Sequence, residues 1–434
     1  MSMGSIKRVI AVAVLLMTAG CNHNPLKTGS DPENDILSRK SSVHRESDPQ
    51  VTALQVDQLV SGNTRFAADL YRDLSKDNKN VFISPFSISM ALAMTRAGAI
   101  NQTAVQIDST LRFSLSDSLV HRTFNYLDLQ LKSRDGATLS IVNQAWGRAD
   151  LNFQDAYLDI LAINYGSGMN LLNFGSDPEG SRQIINAWVA DNTNDKITNL
   201  LPPQSITENT ALVLTNAIYF LGDWLFQFKQ ELTSDHRFFL ENGDSLSVPM
   251  MSLCNEHRTI SLNYVRTPFC RAVELPYSGN NFSMVIVLPT DKSLSEFNME
   301  LTKERLDTIT NGFHSTELFL KIPKFSFTTE TISLKRALQS MGMINPFTAE
   351  ADFSGITGID HPLTISDIFH KAFIRVDEKG TEAAAATAVV FVDSAVVRPD
   401  DHNFTADRPF LFLIRDRISN TVLFIGNIMN PAQI

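Results

Sequence analysis

The chain is poor in cysteine and lacks the sequence patterns of common catalytic and phosphate-binding sites. Only three cysteines occur among its 434 residues, too few for a disulfide framework or a cysteine-based metal site. A Gly-x-Ser-x-Gly elbow, a His-Glu-x-x-His helix, a Gly-x-x-x-x-Gly-Lys-Ser/Thr loop and a dinucleotide fingerprint are all absent. No enzymatic activity, metal or cofactor is therefore predicted.

Basic residues are also too few for a nucleic-acid partner. Lys and Arg number 37 against 47 Asp and Glu, giving a net charge of −10, whereas a nucleic-acid-binding surface needs a basic stripe. The hydrophobic content of 43% is enough to bury a large core. Because no internal repeat and no Pro/Gly/Ser-rich linker divides residues 53–434, we expect one domain there.

The first residues have the pattern of an export signal. Lys7 and Arg8 precede an apolar run over residues 9–17, which is too short to span a bilayer as a stable anchor. Residues 1–20 are thus predicted to be a signal peptide. The end of this segment resembles a bacterial lipobox, with Cys21 as the lipidated first residue, although Thr18 stands where Leu is usual. An ordinary signal peptide is the alternative, and the protein would then be secreted.

A polar stretch follows the signal. Residues 22–50 are rich in charged groups and have few apolar ones, a composition that does not bury enough surface to fold. We therefore expect residues 21–52 to form a flexible tether. Asn22, rather than Asp, follows Cys21, so nothing favours retention at an inner membrane, and an outer-membrane anchor facing either side is expected.

Residues 377–392 are the most informative segment of the chain. Gly380 is predicted to act as a hinge with φ > 0, and the alanines after it lose no side-chain entropy on burial. The residues from Thr387 onward favour a strand. In a strand, alternate residues share one face, which here is small and uncharged: Thr381, Ala383, Ala385 and Thr387. An Ala-rich helix is the competing interpretation.

The flanks of this segment resemble a known family. The motifs are HKAFIRVDEKGTEA at 370–383, RPFLFLIRD at 408–416, LFIGNIMNP at 423–431, NVFISPFSIS at 80–89, LTNAIYF at 214–220 with Trp224, and VELPY at 273–277. They resemble the motifs of serpins, the serine protease inhibitors, and together with residues 1–21 they resemble a bacterial lipoprotein member. The resemblance covers residues 53–434.

This resemblance implies an α+β fold with an exposed reactive loop at 381–403. The expected architecture is a large, mostly antiparallel central sheet, two smaller sheets and about eight to nine helices. The implied protein is a monomeric inhibitor of serine, or also cysteine, endopeptidases, which are its covalent partners. The protease cleaves the loop and forms an acyl-enzyme, and the cleaved loop then inserts into the central sheet.

The hinge that inserts first is expected to contain Glu378, Gly380, Thr381, Glu382, Ala383, Ala384, Ala385, Ala386 and Thr387. The usual family count places the cleaved bond at Ser394-Ala395, which suits elastase-like or subtilisin-like proteases. A shift of one residue would place it after Asp393. Arg398 precedes Pro399 and makes a poor trypsin site, and other bonds in the loop tip stay open.

The resemblance also implies a group of residues that control opening of the sheet. His370 is placed in a buried polar cluster with Ser84, Ser87 and Asn216, which holds the middle of the sheet closed. Ser84 is further expected to cap a helix that Pro85 begins, with its end at Gly98.

Trp224 is placed at the top of the sheet, where the loop enters. The family often has lysines where this chain has Leu221 and Asp223, so these two positions offer no salt bridge to Glu378.

Three alternatives remain open from the sequence. A serpin-fold protein that binds or stores something without inhibiting is the main one. A hydrolase pairing His370 with Ser84 is disfavoured, because Ser84 before Pro85 is better explained as the cap of a helix. The third concerns Cys254 and Cys270, which lie around a hairpin predicted at 258–264 and 269–277. Because Cys270 would face Tyr264 there, a disulfide between the cysteines is not favoured.

Overall fold

The computed structural model describes residues 36–255, 259–381 and 403–433. These ranges form ten α-helices and eighteen β-strands, in agreement with the predicted α+β class. The helices are α1 Ala53–Leu74, α2 Pro85–Arg96, α3 Asn101–Leu111, α4 Asp117–Lys132, α5 Asp155–Tyr165, α6 Pro178–Asn192, α7 Leu294–Met299, α8 Lys303–Asn311, α9 Lys335–Ser340 and α10 Ser354–Thr357.

The first nine strands occupy the amino-terminal two thirds of the chain. They are β1 Leu37–Arg39, β2 Val81–Ile83, β3 Ala137–Arg148, β4 Met169–Leu172, β5 Leu212–Asp223, β6 Ser234–Phe239, β7 Ser245–Ser252, β8 Ile260–Arg266 and β9 Cys270–Pro276. The other nine are β10 Phe282–Pro289, β11 His314–Pro323, β12 Phe325–Thr328, β13 Ile332–Ser333, β14 Ile365–Val376, β15 Gly380–Thr381, β16 Asn403–Thr405, β17 Phe410–Asp416 and β18 Val422–Ile428.

The first sheet has the strand order β1-β4-β3-β5-β15-β14-β12, with β13 also paired to β14. We call it the central sheet. Most neighbours are antiparallel, but β4 runs parallel to β3 and β14 runs parallel to β5. We call the line along which β5 and β14 pair the seam. Both strands are long, and both carry buried side chains.

The two smaller sheets expected from the sequence are joined through one strand. In the described residues they form one path, β2-β18-β17-β10-β9-β8-β11-β7-β6, with β16 beside β11. The first half of β11 pairs with β8, and the second half pairs with β7 and β16. A single strand thus passes from one sheet into the other.

Helix α2 lies between the two sheets and begins where the sequence indicates. The side chain of Ser84 accepts a hydrogen bond from the backbone N–H of Ser87, and Pro85 occupies the first turn. The helix ends at Arg96, two residues before Gly98. Beside it, Phe82 stacks on Phe424 with 5.0 Å between ring centroids. This packing fixes the amino-terminal end of α2 beneath the seam.

The structure corrects the predicted tether over residues 36–50. Strand β1 extends the central sheet by pairing with β4, and Arg45 binds Asp128 at 2.7 Å. The low hydrophobicity of this segment did not indicate these contacts, because they are made by the backbone and by a few polar side chains. Residues 1–35, including Cys21, lie outside the described residues.

The cysteine hairpin also differs from the prediction. The predicted hairpin is present, with a turn at Thr267, but Tyr264 pairs with Val273, and Cys270 pairs with Pro289 on β10 instead. No disulfide joins Cys254 and Cys270. Burial raises the pKa of the Cys270 thiol to about 11, so this thiol is protonated at neutral pH.

Candidate functional site

The upper end of the seam already holds the first residues of the hinge. Gly380 and Thr381 form β15, which lies between β5 and β14 and runs antiparallel to both. Below this point β5 and β14 pair directly, from Leu212 with Ile365 to Ile218 with Ala372. The seam is therefore filled at its top by the hinge and closed beneath it.

Residue 380 has to be glycine because the backbone of β5 passes very close to it. The prediction that it adopts φ > 0 was wrong. Its φ lies outside the left-handed region. A Cβ at this position would come within 2.1 Å of the Gly222 carbonyl oxygen and 2.8 Å of the Asp223 Cα. Because contacts below 3.0 Å are not tolerated, any side chain at 380 would push the hinge away from β5.

Thr381 is anchored from beneath the sheet. Its side chain is 2% exposed, and its hydroxyl lies 2.6 Å from the hydroxyl of Tyr277. The Tyr277 ring stacks on Trp224 with 4.6 Å between centroids. The Thr381 side chain thus faces the core, so alternate residues after it would face the core as well.

Trp224 holds the backbone just before the hinge. Its indole N–H donates to the carbonyl of Asp377 at 3.0 Å, and its backbone N–H donates to the carbonyl of Lys379 at 2.8 Å. The backbone N–H of Phe228 donates to the carbonyl of Glu378. The structure therefore places Trp224 against the backbone that precedes the hinge.

A salt bridge holds Glu378 beside the hinge, and it comes from a lysine that the sequence analysis did not consider. Lys324, between β11 and β12, binds the Glu378 carboxylate at 2.8 Å, and the Thr233 hydroxyl donates to it at 3.0 Å. Burial opposes ionisation of Glu378, but these hydrogen bonds prevail and lower its pKa. The absence of lysines at 221 and 223 is thus compensated by Lys324.

The middle of the seam is bridged by His370 and Asn216. His370 is fully buried, with its Nδ1 2.6 Å from Oδ1 of Asn216. The backbone N–H of Ser84 donates to Nε2 at 3.3 Å. Nε2 therefore accepts, Nδ1 donates, and the imidazole is neutral.

The amide of Asn216 continues the network toward α2. Its Nδ2 donates to the hydroxyl of Ser87 and to Oδ1 of Asn143. Asn143 lies opposite Asn216 on β3, and sequence reasoning missed it. The signal that could have identified Asn143 is its position as a polar residue in the middle of a strand. The Ser84 hydroxyl donates to the carbonyl of Leu423, so it is not aimed at His370 as a nucleophile would be.

The structure thus brings together His370, Asn216, Ser84 and Ser87 at the middle of the seam, and Glu378, Gly380, Thr381 and Trp224 at its top. The other predicted residues lie outside the described residues: Glu382, Ala383, Ala384, Ala385, Ala386, Thr387, Asp393, Ser394 and Ala395. In the described part of the chain no group of three or more His, Cys, Asp or Glu side chains is placed to hold a metal ion. No helix of that part is long and apolar enough to cross a membrane.

We expect the His370 site to make stability depend on pH. Burial lowers the pKa of His370 to about 3, against about 6.5 in an unfolded chain. Between these values the unfolded chain binds a proton that the folded chain does not, so stability present at neutral pH is lost as pH falls below about 6.5. His370→Gln should remove up to about 1.4 kcal/mol per pH unit of this dependence, measured as urea unfolding from pH 7 to 4.

His314→Gln is the matched control, because His314 is exposed. It should keep the dependence of the wild type. An equal dependence in the wild type and both variants would contradict the assignment to His370.

Comparison with known proteins agrees with this geometry. Residues 61–431 match the family model "Serpin (serine protease inhibitor)". The chain is 38% identical to mouse antithrombin-III over 94% of this chain and 89% of that protein. It is 37% identical to human leukocyte elastase inhibitor over 87% of this chain and 100% of that protein.

A solved structure shares the architecture as well. The thermophilic serpin tengpin, in its native state, superposes with a TM-score of 0.79 at 27% identity, covering 90% of this chain and 97% of that one. The hinge, the buried histidine and the seam therefore lie in a fold shared with known serpins. The chain belongs to the serpin family, the family of the serine protease inhibitors, which are not enzymes.

Proposed function

We propose that the protein traps serine endopeptidases, with cysteine endopeptidases as a second class, by inserting its cleaved reactive loop into the seam between β5 and β14. The observation that carries this proposal is the position of Gly380 and Thr381. They already occupy the top of the seam as an antiparallel strand. Insertion of the loop would continue a pairing that has begun.

The observed register defines where each inserted residue would lie. Thr381 pairs with Gly222 on β5 and with Val376 on β14. Continued downward, this register brings Thr387 between Asn216 and His370, and Phe391 beside Leu212 at the end of β5. The hydroxyl of Thr387 would then enter the polar network as the bond between His370 and Asn216 parts. A small polar side chain suits this position, because buried polar groups need partners.

The chemistry of trapping needs only groups that the protease and the loop provide. The protease nucleophile attacks the carbonyl carbon of the cleaved residue, and the peptide C–N bond breaks. The new amino terminus leaves with the proton of the protease's hydroxyl or thiol, and the amino-terminal part of the loop stays bound to the protease as an ester on serine or a thioester on cysteine. Insertion of that part draws the protease along the sheet before water can hydrolyse the ester.

Two features support Ser394-Ala395 as the cleaved bond. The seam ends at Leu212 and Ile365, so a cut after Ser394, like one after Asp393, would leave enough chain to fill the seam completely. Small residues around this bond would suit a protease with a small apolar pocket. The name of the leukocyte elastase inhibitor, a relative, agrees with an elastase-like target.

We further propose that the protein is exported and anchored through a lipid on Cys21. The described chain begins near the lower end of the central sheet, where Leu37 pairs with Leu171, Leu171 with Gly147, and Gly147 with Leu212. The hinge lies at the other end of β5, about 35 Å away at about 3.3 Å per residue. An anchor there would turn the reactive loop away from the membrane.

The trapping proposal predicts a covalent complex. Incubation of the mature protein with an elastase-like protease should give an SDS-stable complex and release a carboxy-terminal fragment that begins at Ala395. Denaturing gels and mass spectrometry of the fragment test both points. Cleavage without a complex by elastase-, subtilisin-, trypsin- and aspartate-directed enzymes would favour a non-inhibitory protein. A fragment beginning at Ser394 would instead place the cut after Asp393.

The insertion register predicts the effect of a charge at Thr387. Thr387→Arg should abolish the complex and turn the inhibitor into a substrate, because an unpaired buried charge costs several kcal/mol. Thr387→Ser is the control, since it keeps a small hydroxyl, and it should form the complex. The ratio of complex to cleaved inhibitor on gels measures the effect, and a normal complex with Thr387→Arg would contradict this register.

The anchor proposal predicts a change of location. After expression in a bacterium and cell fractionation, the wild type should be found with membranes and Cys21→Ser in the soluble fraction. Recovery of both proteins in the soluble fraction would indicate an ordinary signal peptide.

A further inference from the structure

The paired residues at the start of β5 define one end of the central sheet, here called the lower end. Leu212 of β5 lies beside Ile365 of β14 on one side and beside Gly147 of β3 on the other. The row continues through Leu171 of β4 to Leu37 of β1. Because neighbouring strands lie about 4.8 Å apart, this row of five strands is about 20 Å wide. The hinge lies at the opposite end of β5.

Exposed apolar side chains flank this row on both sides. Leu37 is 61% exposed, and Ile359, which shortly precedes β14, is 88% exposed, the largest value for a large apolar side chain in the described residues. The segment that carries Ile359 is fixed beneath the sheet. The backbone N–H of Gln154, which shortly follows β3, donates to the carbonyl of Ile356 at 2.8 Å. Ile359 is therefore held at the lower end by a segment with a defined position.

Three more exposed apolar side chains lie on segments joined to this one. Ile100, Val105 and Ile344 are between 41% and 56% exposed. The backbone N–H of Ile100 donates to the carbonyl of Asp352, just before α10, at 2.9 Å. The side chain of Gln106 on α3 accepts from the backbone N–H of Ile344 at 2.8 Å. Exposed apolar groups that gather on one side of a protein mark an interaction surface.

We call these five residues the lower apolar face: Leu37, Ile100, Val105, Ile344 and Ile359. The point at which the chain enters the domain indicates what covers this face. The described chain begins at residue 36, beside Leu37. Only fourteen residues, 22–35, separate it from Cys21, and a stretch of this length spans at most about 50 Å when fully extended. A flexible polar tether of the same length spans about 20 Å on average. A lipid on Cys21 would therefore keep the lower end within reach of the bilayer and raise the local concentration of lipid around it.

The charges beside the lower apolar face suit a zwitterionic lipid surface. The exposed carboxylates of Glu350 and Asp360 lie on the side of Ile359, and the exposed cations of Arg39 and Lys40 lie on the side of Leu37. A surface of one sign would attract one pair and repel the other. Zwitterionic headgroups carry both signs, so they can accommodate both pairs while the apolar side chains are buried at the boundary with the acyl chains.

We propose that the lower apolar face docks on the zwitterionic lipid surface to which the chain is anchored, with Ile359 entering the boundary between headgroups and acyl chains. This proposal rests on the proposed anchor at Cys21 and deepens it, because an anchor alone fixes the location of the domain but not its orientation. Docking of this face holds the hinge, about 35 Å away along β5, on the side facing away from the bilayer.

Docking can be measured without lipidation of Cys21. The mature chain is prepared with a histidine tag in place of Cys21 and bound to phosphatidylcholine vesicles that contain a nickel-chelating lipid. In this sample the added fluorescence of Ile359→Trp, relative to the wild type, should shift to shorter wavelength and be quenched by brominated phosphatidylcholine. Both effects follow because the indole leaves water for the boundary of the acyl chains.

Ile418→Trp is the matched control. Ile418 is 58% exposed and follows β17, whose last residue, Asp416, pairs with Phe282. Phe282 is bonded to Tyr277, which lies under the hinge, so Ile418 lies at the opposite end of the domain. Its indole should keep the spectrum of a residue in water.

A second variant tests the role assigned to Ile359. Leu37→Trp reports from the other side of the lower apolar face and should also be quenched. Addition of Ile359→Asp should lower the ratio of docked to free domain about tenfold, because the burial of one isoleucine is lost, and the quenching of Leu37→Trp should weaken accordingly. Unchanged quenching would contradict the assignment of Ile359.

The outcomes separate the docking proposal from the anchor proposal. Unchanged spectra of both Ile359→Trp and Ile418→Trp on the vesicles would overturn docking, and equal changes in both would overturn a preferred orientation. A shift of Ile359→Trp in the absence of vesicles would assign the face to a second copy of the chain instead. Docking of the tagged chain, together with recovery of the Cys21 chain in the soluble fraction, would support the lower apolar face and reject the lipid anchor.

Discussion

The parallel pairing of β5 and β14 is the constraint on which the rest of the structure depends. A parallel pair is slightly less stable per residue than an antiparallel pair, and both strands are long. A strand inserted between them would run antiparallel to each, as Gly380 and Thr381 already do. One parallel interface would be replaced by two antiparallel ones. If the loop inserts as proposed, the native state would be kinetically trapped, because the added strand would make the sheet more stable.

The side chains at the seam are suited to being parted. A purely apolar seam would be difficult to open in the middle of a core, because close packing has no partly separated state of low energy. His370 and Asn216 meet through a single hydrogen bond, and each has a further partner on another element. When their bond breaks, neither group loses all its partners. A buried polar network of this kind permits a sheet to exchange one neighbour for another.

The top of the seam is held by close packing and an ion pair rather than by a buried polar network. Gly380 lies against Gly222 so closely that no side chain fits, and Thr381, Tyr277 and Trp224 form one buried contact chain. Glu378 and Lys324 add an ion pair beside the entrance. The hinge is thus held by packing and charge at its start, while the seam below is held by the pairing of two strands.

The sequence by itself determined the family, the α+β class and the start of α2. These properties depend on local patterns, such as Ser84 before Pro85, and on motifs that keep their order along the chain. Only the tertiary structure decided the partner of Glu378, the place of Asn143, the backbone reason for Gly380 and the docking of residues 36–50. Each of these depends on residues far apart in the chain: Lys324 reaches Glu378, Gly222 approaches Gly380, and Arg45 reaches Asp128. Local composition carries no information about such pairs, because the fold alone sets the distance between them.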